Sequence, residues 1–265
     1  MPELSAGQFE LVYNMLSLAI AAMLASFVFF TVARGQVTHK YRPALIMSSL
    51  VVGIAGYHYW RIFNSWDAAY TLSGGVYVAS GKPFNDAYRY VDWLLTVPLL
   101  VAELVAVLAL SADIRGKLMG KLVIASVLMI GLGYPGEVAA ESGPKVMWAV
   151  LSTLPFLYIL YVLWVELSKA VTDAGDELRE LLRNTKLLLL ATWGFYPIAY
   201  MMPLLSVSGA TAEVALQVGY SIADITAKCG YGVMIYHIAK AKMRQEGVSG
   251  VGESIDDAAK AGAYA

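Results

Sequence analysis

The chain has 265 residues, 58% of them hydrophobic and 15% charged, whereas soluble domains run about 45–50% apolar and about 25% charged. Disorder is excluded, and with a mean hydropathy of +0.61 the chain has more apolar mass than a soluble core of this size could hide. Nineteen Lys and Arg against twenty Asp and Glu give a net charge of -1, without the basic excess expected of a nucleic-acid binder. The single cysteine, Cys229, supports neither an intrachain disulfide nor a multi-thiolate metal site, so no metal is expected.

Seven stretches are apolar and close to the roughly 20 residues that a bilayer span needs: 9–33, 44–66, 87–112, 119–138, 145–167, 181–207 and 212–240. The expected fold is therefore all-α, a seven-transmembrane helix bundle forming one domain over residues 1–265, with 245–265 as a mobile cytoplasmic tail. The first stretch lacks a positive n-region and is too long for a signal peptide, so it is expected to remain in the mature protein. Between the second and third stretches, Tyr70, Leu72, Val76 and Val78 alternate around Ser73-Gly74-Gly75, which predicts a short β-hairpin over one mouth of the bundle.

Alternate loops differ in basic residues. Arg34, Lys40, Arg42, Arg115, Lys117, Lys121, Lys169, Arg179, Arg183, Lys186, Lys240, Lys242, Arg244 and Lys260 fall on one side; Arg61, Lys82, Arg89 and Lys145 fall on the other. Cytoplasmic loops carry the excess of Lys and Arg. The N-terminus is thus expected outside and the C-terminus in the cytoplasm, as an odd number of spans requires.

Ionisable residues at bilayer depth are expensive, and they usually face the bundle interior. The candidates are His58, Arg89, Asp92, Glu103, Asp224 and Lys228. Arg89 and Thr96 lie one turn either side of Asp92. Glu103 follows Asp92 by eleven residues, which returns it to nearly the same helix face about 16 Å along the axis. That spacing suits a proton relay with a gap in the middle. Lys228 follows Asp224 by four residues and could fill the gap. Taken alone, the residues allow either a satisfied ion pair that fixes helix packing or a lysine whose desolvated amine condenses with a carbonyl. Trp193, Tyr196 and Tyr200 share one helix face, which could be ordinary packing or one wall of a site for a flat apolar ligand. Pro197 interrupts the same helix and would kink it.

Three motifs carry a family resemblance: Arg89-Tyr90-Val91-Asp92-Trp93-Leu94-Leu95-Thr96-Val97-Pro98, Trp193-Gly194-Phe195-Tyr196-Pro197, and Asp224-Ile225-Thr226-Ala227-Lys228. In this order, on the third, sixth and seventh helices, the chain resembles a microbial (type 1) rhodopsin, most closely the proton-pumping xanthorhodopsin and thermophilic-rhodopsin branch. The resemblance implies that Lys228 binds all-trans retinal as a protonated Schiff base, with Asp92 and Asp224 as its counter-ion pair and Arg89 below them. It also implies that Trp93, Leu100, Trp193, Tyr196, Pro197 and Tyr200 form the retinal pocket. Asp92 is then the proton acceptor, Glu103 the cytoplasmic donor, and Thr96 lies within hydrogen-bond reach of Asp92.

By itself, a lone histidine such as His58 is more often a satisfied interior residue. The resemblance reverses that reading and makes it a partner that hydrogen-bonds the acceptor Asp92. Asp92, Thr96 and Glu103 match the proton-pump pattern rather than that of chloride or sodium pumps, and Leu100 implies green absorption. Some members of this branch hold a carotenoid antenna against the fifth helix, where a glycine follows a tryptophan. Here the pair is Trp148-Ala149, and the alanine methyl occupies that opening. Related pumps are homo-oligomers, pentamers or trimers.

The expected function is a light-driven outward proton pump. The alternatives are a sensory photoreceptor signalling through a partner, which would commonly lack a carboxyl at 103, and an ion-coupled transporter with an Asp/Lys pair and no chromophore.

Overall fold

The structure is a computed structural model that describes residues 1–108, 112–139, 141–172, 174–202 and 209–248. Its helices are α1 (Ala6–Ala33), α2 (Arg42–Ala69), α3 (Tyr88–Leu108), α4 (Ala112–Glu137), α5 (Ser142–Thr172) and α6 (Asp176–Met201). The last rod is α7 (Ala210–Asp224), a π-helical turn (Ile225–Gly230) and α8 (Tyr231–Gln245) in unbroken right-handed helical backbone. The described residues thus form the seven-helix bundle that the apolar spans predict.

Local chemistry sets the ends. Ser5 and Gln8 cap α1 reciprocally: the Ser5 hydroxyl accepts from the Gln8 N–H at 3.3 Å, and the Gln8 side chain accepts from the Ser5 N–H at 2.9 Å. Pro43 occupies the first turn of α2, where its missing N–H costs nothing. The carbonyl of Leu108, at the end of α3, accepts a hydrogen bond from Lys242 Nζ at 2.5 Å.

The expected hairpin is present as β2 (Tyr70–Ser73) and β3 (Val76–Ala79), paired antiparallel with Leu72 opposite Tyr77. Gly74 and Gly75 turn it with φ of 60° and 89°, the double positive φ that a two-residue hairpin loop demands. A third strand, β1 (Leu4–Ser5), pairs antiparallel with β3, giving the order β1-β3-β2. Phe9 stacks on Tyr77 at 3.8 Å, and Trp66 and Tyr70 pack beside them, so the sheet is pinned over one mouth of the bundle.

By length and composition, α1, α3, α4 and α5 are apolar enough to cross a membrane. In α2 and the last rod the apolar pattern is diluted by polar side chains that point inward, since Ser48, Ser49 and His58, and Gln217, Ser221, Asp224 and Lys228, are all buried, whereas α6 is diluted by the exposed charges of its first turns, Asp176, Glu177, Arg179, Glu180 and Arg183. α3 is the central element, with a buried stripe of Arg89, Asp92, Thr96, Leu100 and Glu103. On α5 only Ile159, Leu163 and Leu167 are buried, while Leu154 and Tyr161 are 61% and 69% exposed, as suits a helix facing hydrocarbon.

Residues 203–207 of the sixth expected span and 249–265 of the expected mobile tail lie outside the described residues. The first residue beyond α8, Glu246, is held by Lys40 at 2.6 Å and by the buried Tyr41 at 2.7 Å.

Candidate functional site

The centre of the bundle is a three-residue ion cluster. Lys228 Nζ lies 2.9 Å from Asp92 Oδ2 and 2.9 Å from Asp224 Oδ1, and all three side chains are at most 2% exposed. α3 supplies one carboxylate across the bundle, and the rod carrying the lysine supplies the other one turn away. The π-helical turn holds Lys228 itself; such turns widen the helix locally and recur at functional positions. Neither carboxylate contact is an aligned hydrogen bond: the amine has no well-directed partner, and Asp92 Oδ1 has none either. Asp224 is fixed further by Tyr196, whose hydroxyl donates to Oδ1 at 2.5 Å, and by Tyr59, whose hydroxyl donates to Oδ2 at 2.7 Å. One cation between two carboxylates leaves an excess of one negative charge, and each buried ion costs several kcal/mol unless paired and hydrogen-bonded.

Arg89 lies to one side of the cluster without touching either carboxylate, and its own charge is paired with Asp86. Its Nε donates to Asp86 at 2.6 Å, Nη1 to the Tyr59 hydroxyl at 3.3 Å and Nη2 to Gln217 Oε1 at 2.5 Å. Its guanidinium also lies 4.7 Å from the centre of the Tyr220 ring. Tyr59 therefore links Arg89 to Asp224.

Two expected contacts differ in detail. His58 is buried beside Asp92, yet the closest approach, Nδ1 to Oδ1, is 3.9 Å, while Nδ1 pairs with the Ile54 carbonyl at 3.0 Å. The carbonyl four residues back on the same helix satisfies the ring, so the direct bond to Asp92 is not made. Thr96 likewise donates to the Asp92 main-chain carbonyl at 2.9 Å rather than to its carboxylate. A threonine in a helix reaches the carbonyl four residues back without leaving its rotamer.

On the other side of the cluster, Glu103 is completely buried. The Ser48 hydroxyl donates to Oε2 at 2.6 Å, and Oε1 has no partner. Its chain neighbours Leu104 and Val105 belong to a buried core that also includes Leu45, Ile238, Tyr41 and Tyr231. Tyr231, one turn beyond Lys228, bonds the Leu100 carbonyl at 3.3 Å and stands between the lysine and Glu103.

Lys228 opens into a cavity whose walls include Trp93, Leu100, Trp193, Tyr196, Pro197 and Tyr200, each expected there, together with Met129, Ser152 and Phe156 from α4 and α5. Trp93 meets Tyr196 edge-on at 5.1 Å. Close packing shapes one end: a Cβ on Gly136 would collide with the Tyr200 hydroxyl and the Trp148 Cβ. Among the described residues, no group of three His, Cys, Asp or Glu side chains could hold a metal ion.

Residues 10–242 match the family model described as bacteriorhodopsin-like protein. The chain belongs to this family, the microbial rhodopsins. It is similar to a thermophilic rhodopsin of known structure, at 57% identity with a TM-score of 0.90 over 93% of this chain and 99% of that one. It is also similar to xanthorhodopsin, a light-driven ion pump with dual chromophore, at 55% identity with a TM-score of 0.89 over 94% and 99%. The green-light absorbing proteorhodopsin of Gamma-proteobacterium EBAC31A08 is 33% identical over 84% of each chain.

Family membership makes the chain a membrane-embedded retinal protein, and its relatives are light-driven pumps rather than enzymes. The site fits that chromophore. The cavity is walled by aromatic and aliphatic side chains, its one amine lacks an aligned hydrogen-bond partner, and two carboxylates lie within ion-pair distance of that amine.

Sequence reasoning missed Ser48, Tyr59, Gln217, Asp86 and the π-helical turn. A signal for the first two existed. Ser48 and Tyr59 are eleven residues apart on α2, as Asp92 and Glu103 are on α3. The two helices run in opposite directions, so Ser48 meets Glu103 while Tyr59 stands at the level of Asp92.

Proposed function

We propose that this rhodopsin is a light-driven pump that moves protons outward across a cell membrane, with Lys228 as the retinal attachment site, Asp92 as acceptor and Glu103 as donor. One observation carries the reading: α3 sets two buried carboxyls on either side of the Lys228 nitrogen, one paired with it at 2.9 Å and the other fully buried with a single serine partner. Retinal bound at Lys228 supplies light absorption and a change of shape. The protein supplies the rest. Asp92 Oδ2 is placed to receive a proton from the lysine nitrogen, and Asp224, anchored by Tyr59 and Tyr196, stays as the fixed charge. Glu103, reached past Tyr231, holds the proton that restores the centre from the opposite end. Moving one charge against 100 mV costs roughly 2.3 kcal/mol.

Direction follows from the basic residues. Lys40, Lys242 and Arg244 gather at the Glu103 end, bonded to Glu246, the Leu108 carbonyl and Glu177. An excess of Lys and Arg marks the cytoplasmic side, which supports uptake there, the N-terminus outside and release at the Arg89 end. A sensory role is not favoured, because such proteins commonly lack a carboxyl where Glu103 stands. Leu100 on the cavity wall supports green absorption. Ala149 also lines the cavity, and its methyl favours retinal alone. Energy transfer from an added hydroxylated carotenoid would reverse that last point.

The test is illumination of cells that express the protein with retinal, while external pH is followed. Acidification abolished by a protonophore supports the pump; a coloured protein that moves no protons would contradict it.

A further inference from the structure

One basic side chain faces outward at bilayer depth with no carboxylate to balance it. Lys186 of α6 lies across the seam between α5 and α6: its Nζ donates to the Ser168 hydroxyl at 2.8 Å and sits 3.8 Å from the centre of the Trp164 ring. Trp164 is 45% exposed, so this contact is on the outer surface of the bundle. Ser168 donates its own O–H to the Trp164 carbonyl at 2.7 Å and brings no charge. A ring face and a hydroxyl hold the ammonium in place but leave it unneutralised.

Arg183, one turn before Lys186, is exposed, and no carboxylate among the described residues lies within ion-pair distance of either cation. Most acids nearby are already matched: Glu166 by Lys169 at 2.8 Å, Asp176 by Arg179 at 3.0 Å, and Glu177 by Arg244. Glu180 is exposed one turn before Arg183 and pairs with neither cation.

Lys186 is seven residues from Trp193, on the wall of the central cavity, and Arg183 is ten, which sets them about 10 and 15 Å from that level along the helix. Half the hydrocarbon thickness is about 15 Å, so the two cations stand where acyl chains give way to headgroups. Towards the bilayer centre the seam is apolar. Leu157, Tyr161 and Trp164 form one outward stripe of α5, and Leu187 and Leu190 flank it from α6, all at least 45% exposed. A cation without a counter-ion is costly at this depth, and basic pockets between membrane helices take anionic headgroups. A soluble anion would meet the cations but gain nothing from the stripes.

We propose that this seam binds an anionic phospholipid: Lys186 and Arg183 hold its phosphate, and an acyl chain lies along the stripes of α5 and α6. The site needs only the bilayer in which the bundle is embedded, so it is independent of the direction of pumping. Because Lys186 belongs to α6 and its indole platform to α5, the bound headgroup also strengthens the tie between the two helices.

The test uses the full chain with retinal in phosphatidylcholine nanodiscs, into which phosphatidylglycerol brominated on its acyl chains is titrated. Bromine quenches indole fluorescence on contact, and subtracting the W164F signal isolates Trp164. Each Lys or Arg near an anionic surface contributes about fivefold in affinity. Trp164 is expected to reach half its maximal quenching at a mole fraction of brominated phosphatidylglycerol at least about fivefold below that of brominated phosphatidylcholine. K186Q and R183Q should each cut this preference by about that factor, and K186R should keep it. K117Q removes an exposed cation from α4 and should leave the preference unchanged. If K186Q does not take up retinal, R183Q carries the same expectation. Equal quenching by the two lipids, a preference that survives in R183Q/K186Q, or one lost equally in K117Q overturns the assignment. Displacement of the lipid by inorganic phosphate also overturns it, since the site would then be one for a soluble anion.

Discussion

Asp92 and Glu103 are carboxyls on one face of one helix, both buried, but their neighbourhoods share almost nothing. Asp92 faces a lysine at 2.9 Å, a second carboxylate across that lysine and a histidine at 3.9 Å. Glu103 has one hydrogen-bonding hydroxyl, from Ser48, and no ion-pair partner among the described residues. Charge at the first position is shared with a cation; charge at the second would stand alone, and an unpaired buried ion is expensive. Two residues of nearly the same chemistry are thereby suited to opposite duties, one to be ionised until a proton reaches it and the other to carry a proton until it is needed.

Removing the group that stands between the two carboxyls should have the largest effect. Lys228→Ala deletes the nitrogen between them, so the purified protein should have no visible absorption at all. Asp92→Asn keeps the shape and removes the charge. It should shift absorption to the red and reduce light-driven acidification by at least about 100-fold, the scale of a lost general base. Glu103→Gln should leave Asp92 protonation on time and slow only the late part of the photocycle, and unchanged turnover would refute the donor role. Ser48→Ala leaves both Glu103 oxygens without a partner. A lost hydrogen bond to a buried group costs about 1–3 kcal/mol, so the late phase should change by about tenfold, less than in Glu103→Gln.

The smallest effect is expected far from both sites, at the Lys40–Glu246 clamp. Burial acts to raise the Glu246 carboxyl, but hydrogen bonds from Lys40 and Tyr41 outweigh it and hold the group below the usual carboxylate range. Its contribution is therefore present at neutral pH and lost as pH falls through the lowered value. The pair is half exposed, so it is worth at most about 1 kcal/mol. Glu246→Gln should lower thermal stability slightly at pH 7 and not at all in strong acid.

The same contrast separates what was legible in the sequence from what was not. Distances along a helix were legible: four residues from Asp224 to Lys228 and eleven from Asp92 to Glu103 follow from helical periodicity alone. Partners across helices were not, since Ser48 for Glu103 and Tyr59 for Asp224 depend on the antiparallel register of neighbouring rods. The π-helical turn leaves no composition signature, and the strand Leu4–Ser5 is too short to show alternation. His58 and Thr96 were found at the correct level, while their actual bonds go to main-chain carbonyls on their own helices. Local carbonyls compete with a more distant carboxylate, and residue type alone does not reveal which one wins.

The difference between the two carboxyls can be read directly by time-resolved infrared difference spectroscopy of the retinal-loaded protein. The account predicts an early gain of a protonated-carboxyl band that disappears in Asp92→Asn, followed by transient loss of a second band that disappears in Glu103→Gln. A Glu103 band that stays constant through the whole cycle, or an early band that survives in Asp92→Asn, would contradict it.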